Sequence, residues 1–253
     1  SSQVTIGMGS LGTLQVNNVA GAKANGIDDV MPAAYNETWD GLALTTDNPS
    51  FFGASTASGS VDYRIPAQEM MGATVNASVT FDPNSDIGAP AAGGVGASTV
   101  SGTAFTVQIA HESGVEIGAG TETIENGDTA KSATSTASDE ENVTGYIKYA
   151  MGPLSVGYQE AYQNSANGSA DNEAEFWGVA YTAGDFSISY GESSLTDHPL
   201  NGSTTVSREN ESVQATYTMG AMTLGAALSE TSNAAGVAAK KYEETELSVS
   251  FAF

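Results

Sequence analysis

The chain has 253 residues, room for one large domain or two small ones, and it contains no cysteine, which excludes disulfides, thiol catalysis and zinc–thiolate sites together. Seven Lys and Arg stand against 30 Asp and Glu, a formal charge of −23, which excludes the cationic neutralisation that nucleic-acid binding requires. No apolar run approaches the ~18 residues of a membrane helix, but a membrane barrel has none either, because only alternate residues of its strands face lipid.

The chain opens Ser1-Ser2-Gln3-Val4, without the basic and apolar regions of a secretory leader. Short alternating stretches near residues 3–8 and 11–19 predict two strands. A long segment with no strand pattern, Gly21 to Phe52, follows them. Strands are then expected near residues 58–66, 71–83, 103–113, 114–126, 142–151, 154–164, 174–184, 186–196, 210–220, 222–231 and 242–253. The clearest is Ala73-Thr74-Val75-Asn76-Ala77-Ser78-Val79-Thr80-Phe81, apolar at every odd position and small and polar at every even one. Phe105, Val107 and Ile109 alternate with Thr106 and Gln108, and Phe186, Ile188 and Tyr190 with Ser187 and Ser189. Such strands have one apolar and one polar face. In a soluble sandwich the apolar face points into a core; in a membrane barrel it points to lipid.

Three features favour the barrel. Tyr149-Ala-Met-Gly152, Tyr181-Thr-Ala-Gly184 and Tyr217-Thr-Met-Gly220 recur, each a strand end running into a tight glycine turn. The tight turns therefore share one rim and the long polar segments the other, the layout of outer-membrane barrels. The repeated Tyr149, Tyr181 and Tyr217, with Phe186 and Phe253, would lie at one depth as an aromatic girdle. The long segments Pro83 to Gly102, Ile124 to Val143, Asn164 to Glu173 and Thr196 to Asn210 are polar and low in complexity, as exposed loops are.

The pattern resembles Gram-negative general porins, particularly the alphaproteobacterial type. The resemblance is carried by the terminal strand Leu247-Ser-Val-Ser-Phe-Ala-Phe253, by the opening hairpin Val4-Thr-Ile-Gly-Met-Gly-Ser-Leu-Gly12-Thr-Leu-Gln-Val16, and by the long segment after it. It implies an all-β transmembrane antiparallel up-and-down barrel in one domain spanning residues 1–253, with segment 21–52 folded inward as a constriction loop. Of a probable sixteen strands about thirteen are recognisable, with the first three missing, because bacterial barrels have even strand numbers. A smaller barrel closed at twelve or fourteen strands would instead pair residues 3–8 with the C-terminal strand. The resemblance further implies a homotrimer in outer-membrane lipid of a Gram-negative cell, passing ions and small hydrophilic solutes by diffusion.

A pore needs a narrow section with fixed charge rather than a catalytic group. Asp28, Asp29, Glu37 and Asp40 are the candidates on the inward segment, with Arg64 and its neighbour Asp62 on the facing wall. Arg64 and Lys148 are the main cations at inward parity, so the basic cluster usual in porins is largely absent and cation preference is expected. Lys148, Glu116, Gln108 and Asn76 are expected to line the pore; Glu122 shares the parity of Glu116. Tyr35 and Trp39 are expected to anchor the segment. No cofactor is expected. Ser138-Asp-Glu-Glu141 and Asp171-Asn-Glu173 offer oxygen ligands for calcium, but neither has EF-hand spacing, and solvated loops explain them better. His111 and His198 stand without a nucleophile or metal-binding pattern, and no enzyme is expected. The main alternative is a secreted acidic β-sandwich adhesin or binding module with its apolar faces buried.

Overall fold

A computed structural model describes residues 3–17, 23–40, 49, 52, 59–85, 100–125, 139–165, 170–199 and 205–252. The strands are β1 (Gln3–Gly7), β2 (Thr13–Asn17), β3 (Val61–Arg64), β4 (Gln68–Met70), β5 (Ala73–Ser85), β6 (Val100–His111), β7 (Val115–Ile124), β8 (Glu140–Met151), β9 (Leu154–Asn164), β10 (Asp171–Ala183), β11 (Phe186–His198), β12 (Arg208–Met219), β13 (Met222–Ser232) and β14 (Lys241–Phe251). All fourteen belong to one antiparallel sheet in which each strand pairs with its sequence neighbour, β4 adding to β5 beside β3. Among the described residues β1 and β14 do not pair with one another. Phe253, assigned to the aromatic girdle, lies outside the described residues.

The strand expected at 58–66 resumes beyond its expected end. Arg64 pairs with Ser78 and Gln68 with Val75, so three residues, Ile65-Pro66-Ala67, oppose two on β5. Proline has no N–H to give to the ladder, and the extra residue is taken up as a bulge. The pattern broke at Pro66, but the pairing carries on to Met70. The tight turns follow the glycines. Gly152, Gly184 and Gly220 have φ of 58°, 59° and 63°, left-handed values that glycine adopts without steric cost in two-residue hairpin turns.

The sheet is inverted relative to a soluble protein. On one face sit buried polar side chains, among them Asp62, Thr80, Thr106, Glu122, Asn142, Gln159, Asn210 and Gln214. On the other, large apolar side chains are bare: Val79, Phe105, Ile147, Val156, Ile188, Leu224, and Leu247 at 80% exposure. The sandwich alternative requires this apolar face to be covered by a second sheet, and the described residues form one sheet with that face open. Tyr149, Tyr181, Phe186 and Tyr217 are exposed on the apolar face beside the tight turns, Phe186 directly opposite Tyr217.

Toward the opposite end of β9–β14 the outer face changes character. Trp177, Glu192, Glu211, Glu230 and Glu243 are successive cross-strand neighbours on β10 to β14. Trp177 Nε1 donates to Glu192 at 2.9 Å and the Tyr190 hydroxyl to Glu211 at 3.1 Å. The Tyr158 hydroxyl reaches Glu175 at 3.1 Å, and Lys241 pairs with Glu230. Here aromatic rings with polar tips meet a row of carboxylates.

Candidate functional site

The polar face is buried because the segment between β2 and β3 lies across it. Residues 24–27 form a single 3-10 turn, and the chain then runs extended to a second turn at 38–40. The segment begins where the backbone N–H of Lys23 donates to Asp62 on β3 at 3.4 Å. It ends among β12 to β14. Between these points it touches the inner face of nearly every strand from β6 onward.

Its first half, residues 24–33, docks by shape. Ala24, Ile27 and Phe52 are fully buried in a cluster with Ala104 and Tyr146. Met31 packs between this cluster and a second one of Ala161, Ala174, Phe176 and Leu195. Strand glycines make the room: a Cβ on Gly120 would stand 2.5 Å from Phe52 and 2.7 Å from Ile27, and one on Gly178 would stand 3.0 Å from the Pro32 carbonyl. Glycine inside a strand marks such a close approach. One fully buried side chain adds the polar fit. Gln159 Nε2 donates to the carbonyls of Ile27 at 2.9 Å and Asp28 at 3.0 Å, and its Oε1 accepts from Val30 N–H at 3.1 Å.

The second half, residues 34–40, docks by hydrogen bonds. Ala34 N–H donates to Ser189 Oγ at 2.8 Å. Gln214 Oε1 accepts from both Tyr35 N–H at 3.0 Å and Asn36 N–H at 2.9 Å. The Tyr35 ring lies over Gly225, and its hydroxyl donates to Glu246 at 2.6 Å.

This segment carries Asp28, Asp29, Glu37 and Asp40 together. Asp28 Oδ1 accepts from Asp29 N–H, and Asp29 Oδ1 from Met31 N–H, both at 2.9 Å. Burial, then the charges of Asp29, Asp28 and Asp40, push the Glu37 carboxyl up to about 8. Burial likewise pushes Asp29 up to about 6, against the lowering effect of the Met31 N–H bond. Asp40 is raised by burial and by Glu246. Four carboxyls here share one low-dielectric neighbourhood, where ionising one makes ionising the next harder.

The cations on the inner face are committed. Arg64 Nε pairs with Asp62 at 2.6 Å, and Asp62 also accepts from Thr80 at 2.7 Å. Lys148 Nζ pairs with Glu116 at 3.2 Å, away from the acidic segment. Glu116 accepts from the Tyr146 hydroxyl at 2.7 Å, which accepts from Gln108 at 2.9 Å. Asn76 lies on the inner face but is exposed. Glu122 is also on the inner face, fully buried and bonded by Asn142 at 2.9 Å. Ser138, one of the calcium candidates, lies outside the described residues. Glu140 accepts from Asn142 and Gln163, and Asp171 from Ser165 N–H. Among the described residues no three His, Asp or Glu side chains are grouped to hold a metal ion. His111 bonds Ser113, and His198 bonds Glu173, each in an exposed position.

This geometry has counterparts among solved structures. The anion-selective porin from Comamonas acidovorans superposes with a TM-score of 0.64 at 12% identity, over 99% of this chain and 77% of that one. A porin refined at 1.8 Å resolution gives 0.66 at 15% identity, over 97% and 79%. The chain has the porin fold. OmpT of Vibrio cholerae, an outer membrane protein described in a trimer form, gives 0.56 at 12% identity over 94% and 75%. No protein-family model matches the chain, and no curated protein matches it in sequence. At these identities the shared fold rests on strand order and interior geometry rather than on shared residues. Sequence reading placed the acids on the segment but missed the inner-face glycines Gly157, Gly178, Gly191 and Gly225, and the clamps Gln159 and Gln214. Their signal was present: a glycine at inward parity in mid-strand is a notch waiting for backbone.

Proposed function

We propose that this chain is an integral outer-membrane porin: a passive, water-filled pore for ions and small hydrophilic solutes, with no catalytic step. The observation that carries the reading is the inversion of the sheet, bare apolar side chains outside and polar ones inside, with a segment laid across the interior. That arrangement suits lipid around a barrel and water within it. The porin folds described above, one of them in a trimer form, support assembly as a homotrimer.

The pore prefers cations. Asp28, Asp29, Glu37 and Asp40 concentrate negative charge on the segment, and Arg64 and Lys148 are each held by a carboxylate partner. A low-dielectric wall focuses such a field on a passing ion. The Comamonas neighbour is described as anion-selective, so the fold leaves the sign of selectivity to the side chains. The test is reversal potential across a planar bilayer in a salt gradient. Stepwise conductance with cation preference is expected. Anion preference would overturn the assignment of the acidic segment as the selectivity element, and a protein soluble without detergent and devoid of conductance would overturn the pore.

A further inference from the structure

A cavity of about 410 Å³ lies on the inner face near the tight-turn rim of β7–β9. One wall is the Lys148–Glu116 pair; the other is the apolar stretch Val30-Met31-Pro32-Ala33 of the interior segment. The two walls meet at Gly157, where a Cβ would touch Pro32 at 2.9 Å, Met31 Sδ at 3.1 Å and Lys148 Cγ at 3.2 Å. The ion pair is incompletely used. Both side chains are partly exposed, at 27% and 33%, and Glu116 Oε1 receives both the Lys148 ammonium and the Tyr146 hydroxyl. Glu116 Oε2 and two of the three Lys148 protons have no partner among the described residues. The Tyr146 ring, 5.4 Å from Lys148 Nζ, and its bond from Gln108 hold the pair in place.

We propose that this cavity is a subsite for zwitterionic α-amino acids with an apolar side chain, a reading that rests on the pore assignment above. An α-amino acid carries its ammonium and carboxylate on one carbon. Set against the pair, its ammonium faces Glu116 Oε2 and its carboxylate faces Lys148 Nζ, so four charges alternate and neither wall charge is left uncompensated. Its side chain then lies on Val30, Met31 and Pro32, which form a dry surface opposite the charges. Cavities of this size, mostly apolar with a few convergent polar groups, suit small ligands. A solute bearing only one of the two charges satisfies one half of the pair and repels the other.

The test is titration calorimetry of the detergent-solubilised full chain with leucine, isoamylamine and 4-methylpentanoate, run beside bilayer conductance. Saturable leucine binding is expected, weakened about tenfold when either charge of the ligand is removed and about tenfold in Lys148→Met, each change deleting one charge-assisted contact. The exchange variant Glu116→Lys/Lys148→Glu restores the pair in reverse and recovers leucine binding. Equal binding of all three compounds, or leucine binding indifferent to Lys148→Met, overturns the subsite, as does conductance without any leucine binding. Leucine binding without conductance upholds the subsite and overturns the pore.

Discussion

The two halves of the interior segment reach the same wall by different means. Residues 24–33 fit apolar side chains into notches left by Gly120, Gly157 and Gly178, with one buried glutamine satisfying their backbone. Residues 34–40 hang on Ser189, Gln214 and Glu246, at partly buried positions. The difference teaches where each half is vulnerable. A shape fit fails when volume is added, because close-packed surroundings have nowhere to move. A hydrogen-bonded fit fails when a partner is removed, and fails less where water can replace it.

The largest effect is expected from adding volume under the first half. Gly120→Val drives a side chain into Phe52 and Ile27, both fully buried, and should cost about 1–3 kcal/mol of stability as overpacking. Thermal unfolding in detergent reads the loss, and a larger, noisier conductance step reads the displaced segment. Gln159→Leu comes next. It strands Val30 N–H and the carbonyls of Ile27 and Asp28 away from water, at about 1–3 kcal/mol for a buried unsatisfied group. Gln214→Leu removes two bonds of similar length from Tyr35 and Asn36, yet water has access there, and a loss of about 1 kcal/mol is expected. Unfolding midpoints of the two variants side by side decide the matter; if Gln214→Leu is the more damaging, the contrast between the halves is wrong.

The smallest change needs no mutation. Burial disfavours ionised Glu37 and Asp29, so their ionisation works against docking. The segment sits most firmly below the ordinary carboxylate range and loosens as pH rises through about 6 and then about 8. Its charge moves the other way: two carboxyls neutral in acid become anionic over the same range. Cation preference should therefore strengthen from pH 5 to pH 9, a range chosen at about one unit beyond these two values. Reversal potentials across that interval check it, and a flat profile would remove Glu37 from the conducting path.

The all-β architecture was legible because alternation is local: Ala73 to Phe81 declares its two faces within nine residues. The repeated Tyr–Gly strand ends disclosed which rim carries the turns. What alternation could not reveal was contact across the interior. Gln159 and Val30 are 129 residues apart, and nothing near either announces the other. Glu246 sits in a plain strand pattern and becomes part of the site only when Tyr35 reaches it. The acids of the segment were visible as composition, and their neighbours' influence on Glu37 required the fold. Pro66 misled because a missing N–H looks like a strand end, while a bulge lets the pairing resume.

The row of outer carboxylates on β11 to β14 makes the apolar wall lopsided. On β5 the outward side chains stay apolar from Ala73 to Phe81, about 27 Å along the strand at ~3.4 Å per residue. On β13 they do so only from Met222 to Leu228 before Glu230, about 20 Å on the same spacing. With strands inclined by about 40°, the hydrocarbon belt is some 5 Å shorter on one flank than on the other. A bilayer accommodates such a mismatch by thinning beside the short flank or by letting the whole body lean. The axis of this barrel would then stand off the membrane normal, and the lipid ring around it would be unequal in depth from side to side.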